Sequence, residues 1–465
     1  MSRILLISSN IIREPFPVYP LGMAIIASSL NAAGHIVEQY DFLKSCDDTT
    51  GKDILKIISK FAPDFIGISI RNIDNVDSLA TSDNWYLKHV NILVKSIKQN
   101  TNIPVIIGGP AFSIMPEKIL EITDADYGIA GEGEITLVKL IADLSDGKSP
   151  QKITYFNEKL IDGCDFVVPL YTKELASYYI DKSGMLNYQT KRGCPHGCNY
   201  CSYPVIEGKK FRKQEPGFVA DNLKRLKKDF DFDTLFFTDS VFNDSNGHYL
   251  EVAEEMVRQN CNIKWAGYFR PDKISDSELK LLKKSGLYAM EVGSDAACDS
   301  TLKGINKSFL FEDVLEFNRQ TTKHEIPAAN FFMFGGPGEI KKTVAESLKN
   351  IDKLEKCVVF IFSGIRILPQ TGIRDIAITD GIISPEDDLL KPVYYISPLI
   401  DKKEMEDSII ESFGKRKDRI FPPEKGQIRS NVMHTFGFKG LIWDMLLTNP
   451  ITERKVRKKR VKNIV

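Results

Sequence analysis

Short apolar runs alternate along the chain with longer stretches in which apolar residues recur every three or four positions. Runs at residues 4–8, 36–41, 65–70, 104–107 and 126–130 predict strands, and the patterns at 21–33, 53–61, 85–97, 134–144 and from 117 predict helices. This order predicts an α/β fold, a Rossmann-like doubly wound parallel sheet over residues 1–150 that binds ligands beyond the carboxyl ends of its strands. A linker follows at 151–184. A second series then sets strands at 186–191, 234–238, 263–270, 288–293, 328–334 and 358–367. Helical patterns lie between them at 217–230, 249–259, 275–284, 311–321 and 341–353. Six strands are too few for an eightfold barrel, so residues 185–372 are expected to form a partial (β/α)6 barrel with its chemistry at the strand carboxyl ends. From 373 to 465 the rhythm stops, and an α-rich cap that shapes the substrate pocket is expected.

Composition narrows the partners. Lys plus Arg and Asp plus Glu both number 62 among 465 residues, so no global field draws the chain to nucleic acid. No apolar run reaches the ~18 residues of a membrane span, and the opening lacks a secretory leader pattern, which points to the cytoplasm. The apolar stretch 438–447 and the basic run 453–462 could together touch an anionic membrane surface, each basic residue contributing about 1 kcal/mol. A solvated end is the alternative.

Of eight cysteines, Cys46, Cys164, Cys261, Cys298 and Cys357 are scattered, which is not a disulfide framework. The other three crowd into KRGCPHGCNYC, residues 191–201, at C-x3-C-x2-C spacing in a Gly- and Pro-marked loop that can curl around an inorganic centre. Three cysteines would leave one iron of a cubane cluster open to a substrate. Zinc could instead take the three sulfurs and His196, although zinc motifs usually bring a second pair ~12 to 20 residues on.

The spacing, with Tyr200 before the last cysteine, resembles the radical SAM superfamily. That resemblance implies a 4Fe-4S cluster on Cys194, Cys198 and Cys201, whose open iron is chelated by S-adenosylmethionine (SAM). Reductive cleavage would then release a 5'-deoxyadenosyl radical. Further segments resemble the family's SAM-binding turns. TDS at 238–240 stands at the amine-binding position, implying Asp239 and Ser240. YFRPD at 268–272 implies Arg270 as a carboxylate or ribose contact, and MEVGSD at 290–295 implies a ribose turn through Glu291 and Ser294. FMFGGPGE at 332–339 implies an adenine-side loop with Gly335 and Gly336. Substrate contacts are expected after RILPQTG at 366–372.

PLGM at 20–23, AAGH at 32–35, PDFIGIS at 63–69, IIGGP at 106–110 and GEGE at 131–134 resemble the cobalamin-binding domain that precedes many radical SAM barrels. The implied contacts are Leu21, Gly22, Ser69, Gly108, Gly109, Glu132 and Gly133. Many such domains supply an axial histidine from D-x-H-x-x-G, whereas the loop here, NIIREPFPVYP, has none and His35 lies outside it. Cobalt is therefore expected to lack a protein imidazole; a domain that has lost its cofactor would show the same loop.

The implied function is a cobalamin-dependent radical SAM enzyme that methylates an unactivated carbon of a small-molecule or lipid substrate, reduced by a flavodoxin or ferredoxin. Alternatives on the same cofactors are radical ring formation, rearrangement or dehydrogenation, including in lipid biosynthesis of the ladderane type. Methylthio transfer to RNA is disfavoured by the absent basic excess and by a single N-terminal cysteine, Cys46. The alternative from another class is a non-catalytic zinc or corrinoid-binding protein.

Overall fold

The computed structural model describes residues 1–44, 52–80, 85–155 and 160–447. Cys46 and the basic run 453–462 lie outside the described residues. The first sheet contains β1 (Arg3–Ser8), β2 (Ile36–Asp41), β3 (Phe65–Ser69), β4 (Val105–Gly108), β5 (Tyr127–Ala130) and β6 (Ile153–Tyr155), all parallel in the order 2-1-3-4-5-6. β1 and β3 are covered on both faces and read as near-continuous apolar runs, whereas edge strand β2 alternates exposed and half-buried residues before it enters the core. Strand order reverses between β1 and β3, which opens a crevice beyond their carboxyl ends. β6 arises from the segment expected to be linker.

The rest of that segment is packed as well. Helix Lys173–Ser183 is capped by the Thr172 hydroxyl and stopped by Gly184 at φ +75°. Its Tyr179 hydroxyl donates to buried Asp41 at 2.5 Å, and Tyr178 donates to the Leu43 carbonyl at 2.8 Å.

The second sheet is introduced by β7 (Met185–Tyr188). A small antiparallel ribbon of β8 (Lys191–Arg192) and β9 (Arg212–Lys213) follows, then β10 (Thr234–Phe237), β11 (Lys264–Phe269), β12 (Leu287–Asp295), β13 (Ala328–Phe334) and β14 (Cys357–Ser363). β15 (Ile365–Arg366) pairs antiparallel with β16 (Tyr394–Tyr395), and β17 (Arg419–Ile420) returns to the sheet. The order is 17-14-13-12-11-10-7, every neighbour parallel. The C-terminal segment thus adds a seventh strand to the six expected.

Alternation places Leu235, Phe237, Trp265, Val292 and Ile361 under the helices. The opposite, inner face carries Met185, Phe236, Ala266, Ala289, Ala329, Val358 and Phe360. Leu441 and Trp443 close the lower part of that face, with Trp443 edge-on to Phe360 at 5.6 Å between ring centroids. The apolar stretch considered for membrane contact therefore buries Leu441, Ile442 and Trp443 inside the protein. Among the described residues, no helix is long and apolar enough to cross a membrane.

Candidate cofactor and active site

The cysteine loop leaves the β8–β9 ribbon through Gly193, at φ +87°, where a Cβ would meet the Lys210 carbonyl oxygen at 2.1 Å. Only glycine fits there. Cys194 is buried and its N–H donates to Gly208 at 3.0 Å, while Cys201 N–H donates to Cys198 at 3.3 Å. Burial pushes the Cys201 thiol up to about 12, the Cys198 and Cys194 thiols nearby add to that, and Lys307 opposes it. The three sulfurs thus sense one another. Among the described residues no three His, Cys, Asp or Glu side chains converge to hold a single metal ion. A cubane cluster binds each cysteine through a different iron and so spreads them. A cluster of thiolates and iron is anionic, and the cation it would meet is Lys307.

Lys307 carries no motif and escapes sequence reasoning. Its side chain is 7% exposed, is paired with Asp295, and lies 5.3 Å from the centroid of the Tyr200 ring. Tyr200 therefore stands between the last two cysteines and this pair. Arg270 is also buried. It donates to Asp272 at 2.8 Å and to Ser308 at 2.5 Å, and stacks 4.9 Å over Phe309.

Asp239 is placed differently from its expected role. It is fully buried and accepts from the Thr190 N–H at 2.7 Å, the Thr190 hydroxyl at 2.5 Å and Lys191 Nζ at 3.1 Å. A carboxylate so engaged is not free to take a methionyl ammonium; it anchors the strand that enters the cysteine loop. Lys191, 1% exposed, completes its shell with Asp244 at 3.4 Å and the Phe242 carbonyl at 2.8 Å. Ser240 supports the same loop by donating to the Gly193 carbonyl at 2.8 Å.

Gly335 and Gly336 also turn inward. Both N–H groups donate to Glu339 Oε2, the second at 3.1 Å, and their carbonyls accept from the Ser397 and Glu339 N–H groups at 2.9 and 3.1 Å, so the two glycines fold their own loop. Ser294 is buried and donates to Asn330 Oδ1 at 2.8 Å. Glu291 lies on the inner sheet face, in register with Tyr268 of β11 and Ala329 of β13. The sequence-named residues of this half therefore divide into loop anchors (Asp239, Ser240), loop formers (Gly335, Gly336) and wall residues.

A cavity of about 360 Å³ lies between the two sheets. Leu21, Gly22, Ser69, Gly108, Gly109, Glu132 and Gly133 all line it, joined from the second half by Asn187, Gln189, Arg192, Tyr203, Thr238 and Tyr268. Gly109 sits at φ +99°, with a Cβ excluded by the Ile70 carbonyl at 2.7 Å, so the chain presents bare backbone to whatever lies above it. No histidine is among the lining residues. Glu132 is not a free ligand. It accepts from Arg192 Nη1, Arg212 Nη1 and the Ile161 N–H, each at 3.0 Å, and Arg192 also pairs with Glu134 at 2.6 Å. Burial alone would raise the Glu132 carboxyl, but Arg212 and Arg192 together hold it below its ordinary value. This network joins the cavity floor directly to the residue before Gly193.

A glycine-backed cavity at the switch point fits a corrinoid, and a three-cysteine loop beside a buried cation fits a cluster with one open iron. Two family models match in agreement with this division: the B12 binding domain over residues 10–141 and the radical SAM superfamily over residues 188–351. The chain is 26% identical over 351 residues to an uncharacterized methyltransferase of Pyrococcus horikoshii, covering 72% of this chain and 73% of that protein. It is 22% identical to the tryptophan 2-C-methyltransferase of Streptomyces laurentii, covering 77% and 72%. The fold is shared with the radical SAM methyltransferase TsrM of Kitasatospora setae, solved with cobalamin and a [4Fe-4S] cluster, at TM-score 0.83, 20% identity, 99% of this chain and all of that one. Cavity, cysteine loop and both family models agree: the chain carries a B12-binding domain and a radical SAM domain and is a cobalamin-dependent radical SAM enzyme.

Proposed function

We propose that this enzyme methylates an unactivated carbon of a substrate held on the inner face of the second sheet. One observation carries the reading: Arg192 and Tyr203, on either side of the cysteine loop, are also walls of the corrinoid cavity. The two cofactors would then face one reaction space. When bound, the cluster and SAM supply a 5'-deoxyadenosyl radical that takes hydrogen from the substrate, and the corrinoid supplies the methyl group.

The chain's own residues hold and orient. Cys194, Cys198 and Cys201 take the cluster, and Lys307 offsets its charge. Tyr200, Arg270 and Ser294 and the Gly335–Gly336 loop are the assigned SAM contacts, while Leu21, Gly22, Ser69, Gly108, Gly109 and Gly133 cradle the corrinoid. Residues 1–150 serve as the corrinoid unit, 185–372 as the radical unit and 373–465 as a cap that also contributes β17. A flavodoxin- or ferredoxin-type protein is the proposed electron donor, and the cytoplasm the proposed location.

The test is anaerobic reconstitution with iron, sulfide and hydroxocobalamin, followed by incubation with SAM, reductant and candidate substrates. Stoichiometric retained corrinoid, and a methylated product formed together with S-adenosylhomocysteine, is the expected outcome. Deoxyadenosine formed without methyl consumption would replace methyl transfer by ring formation, rearrangement or dehydrogenation, the second reading that the apolar inner face also accommodates. Only that outcome would bring the lipid-biosynthetic variant forward.

A further inference from the structure

We infer that Glu291 is the substrate anchor, and that the substrate presents a cationic nitrogen on a compact apolar or aromatic body. The inference deepens the methyl-transfer reading and rests on it for the identity of the reaction space. Glu291 is 7% exposed, yet no hydrogen bond or ion pair reaches it from the described residues, whereas Asp239, Glu132, Asp295 and Glu339 are each engaged by named partners. A buried carboxyl normally has a partner. One that has none in the unliganded chain is waiting for a group that arrives from outside.

Position says where that group comes from. Glu291 follows Ala289 by two residues on β12, so it shares the inner face with Ala289, Phe236 and Ala329. Its register partner is Tyr268, which lines the corrinoid cavity and packs edge-on to Phe236 at 4.9 Å. Phe331, one inward position further along β13, adds a third ring. Below, Tyr288 and Leu441 shut the face, the Tyr288 hydroxyl accepting the Leu441 N–H at 2.7 Å. The carboxyl therefore stands between a closed floor and the cavity, among aromatic rings.

Chemistry says what the group is. Burial raises the Glu291 carboxyl to about 8, and no lysine or arginine counteracts it. Lys307 and Arg270, the cations beside the cysteine loop, are committed to Asp295, Asp272 and Ser308. The matching ligand is a cation: an ammonium would favour the ionised form of Glu291 and pair with it, among the neighbouring aromatic rings of Phe236, Tyr268 and Phe331. A purely hydrocarbon substrate would leave the Glu291 carboxyl without a hydrogen-bond partner, and an anionic one would hold it protonated instead of drawing on its charge.

Equilibrium dialysis of the reconstituted protein tests this with two probes of matched shape, phenethylamine and 3-phenylpropionate. Saturable binding of the amine at one per chain, at least tenfold tighter than the acid and weakened at least tenfold in E291Q, is the expected result. Equal binding of both probes, amine binding unchanged in E291Q, or no saturable amine binding would each overturn the inference. Loss of SAM retention in E291Q would return Glu291 to the ribose and overturn it as well. E291L, which fills the site with an apolar side chain, should also lose the amine while retaining corrinoid, and this separates anchoring from folding. Dialysis needs no turnover, so its failure leaves methyl transfer standing, whereas a wild-type protein that retains no corrinoid would strike that reading first.

Discussion

Arg366 and Asp74 lie 292 positions apart and meet at 2.8 Å, Nε to carboxylate, with neither side chain more than 3% exposed. The pair ties the segment after β3 to β15, and the remaining Arg366 nitrogens are spent on the Ile367 and Leu389 carbonyls at 2.5 and 2.8 Å. Removing one partner strands a buried charge, so R366M is expected to cost about 3–5 kcal/mol in denaturant unfolding. D74N combined with R366M should recover part of that loss. An unchanged midpoint in R366M would show that the two halves are held by other contacts.

Each of C194A, C198A and C201A should lose the iron-sulfur absorbance and the SAM-cleavage product after anaerobic reconstitution. C164A, at an exposed cysteine, should retain both. Retained iron-sulfur absorbance with deoxyadenosine formation in C198A would contradict the ligand assignment.

Asp239 separates two roles cleanly. If it anchors Lys191, D239A leaves that ammonium buried with only Asp244 and a carbonyl, and the fold should lose about 3 kcal/mol together with most of its iron. A direct contact to SAM predicts a stable variant with a full cluster and weakened SAM binding. Iron content beside a melting curve distinguishes them.

Glu339 supplies a pH signature. Burial raises its carboxyl from 4.5 to about 7 against two opposing backbone N–H donors, Gly335 and Gly336. Between those values the folded chain binds more protons than the unfolded one, so stability should fall as pH rises from about 4.5 through about 7, by about 3 kcal/mol. E339Q should flatten that slope. A wild-type profile with no decline in this window would refute the assignment.

The floor of the second sheet rests on one large side chain. Trp443 is 3% exposed and packs edge-on to Phe360, so W443A should cost about 3–5 kcal/mol. Differential scanning calorimetry of the wild type and variant measures it.

What the sequence made legible was whatever depends on neighbours along the chain. β13 falls on 328–334 as the apolar pattern predicts, and the seven residues expected around the corrinoid all line one cavity. What it hid depends on partners far away. Asp239 occupies the expected turn, but Lys191 and Thr190, which consume its oxygens, lie 48 and 49 positions earlier. Glu132 stands in a glycine loop that looks built for a ligand, yet Arg212 and Arg192 claim it across 80 and 60 residues. β17 spans only Arg419 and Ile420, too short for any periodicity to register. Lys307 sits in no motif, and only the fold brings it to Tyr200.

Phe16, from the loop after β1, packs into the floor of the second sheet and meets the His434 ring edge-on at 6.1 Å. The corrinoid-binding half is therefore not an interchangeable cassette. A cobalamin domain transplanted from a relative into this methyltransferase would arrive with the wrong side chains opposite Arg192, Arg366 and His434. Chimeras in this family should succeed when those contact positions travel together and fail when the cut is made at the domain border alone.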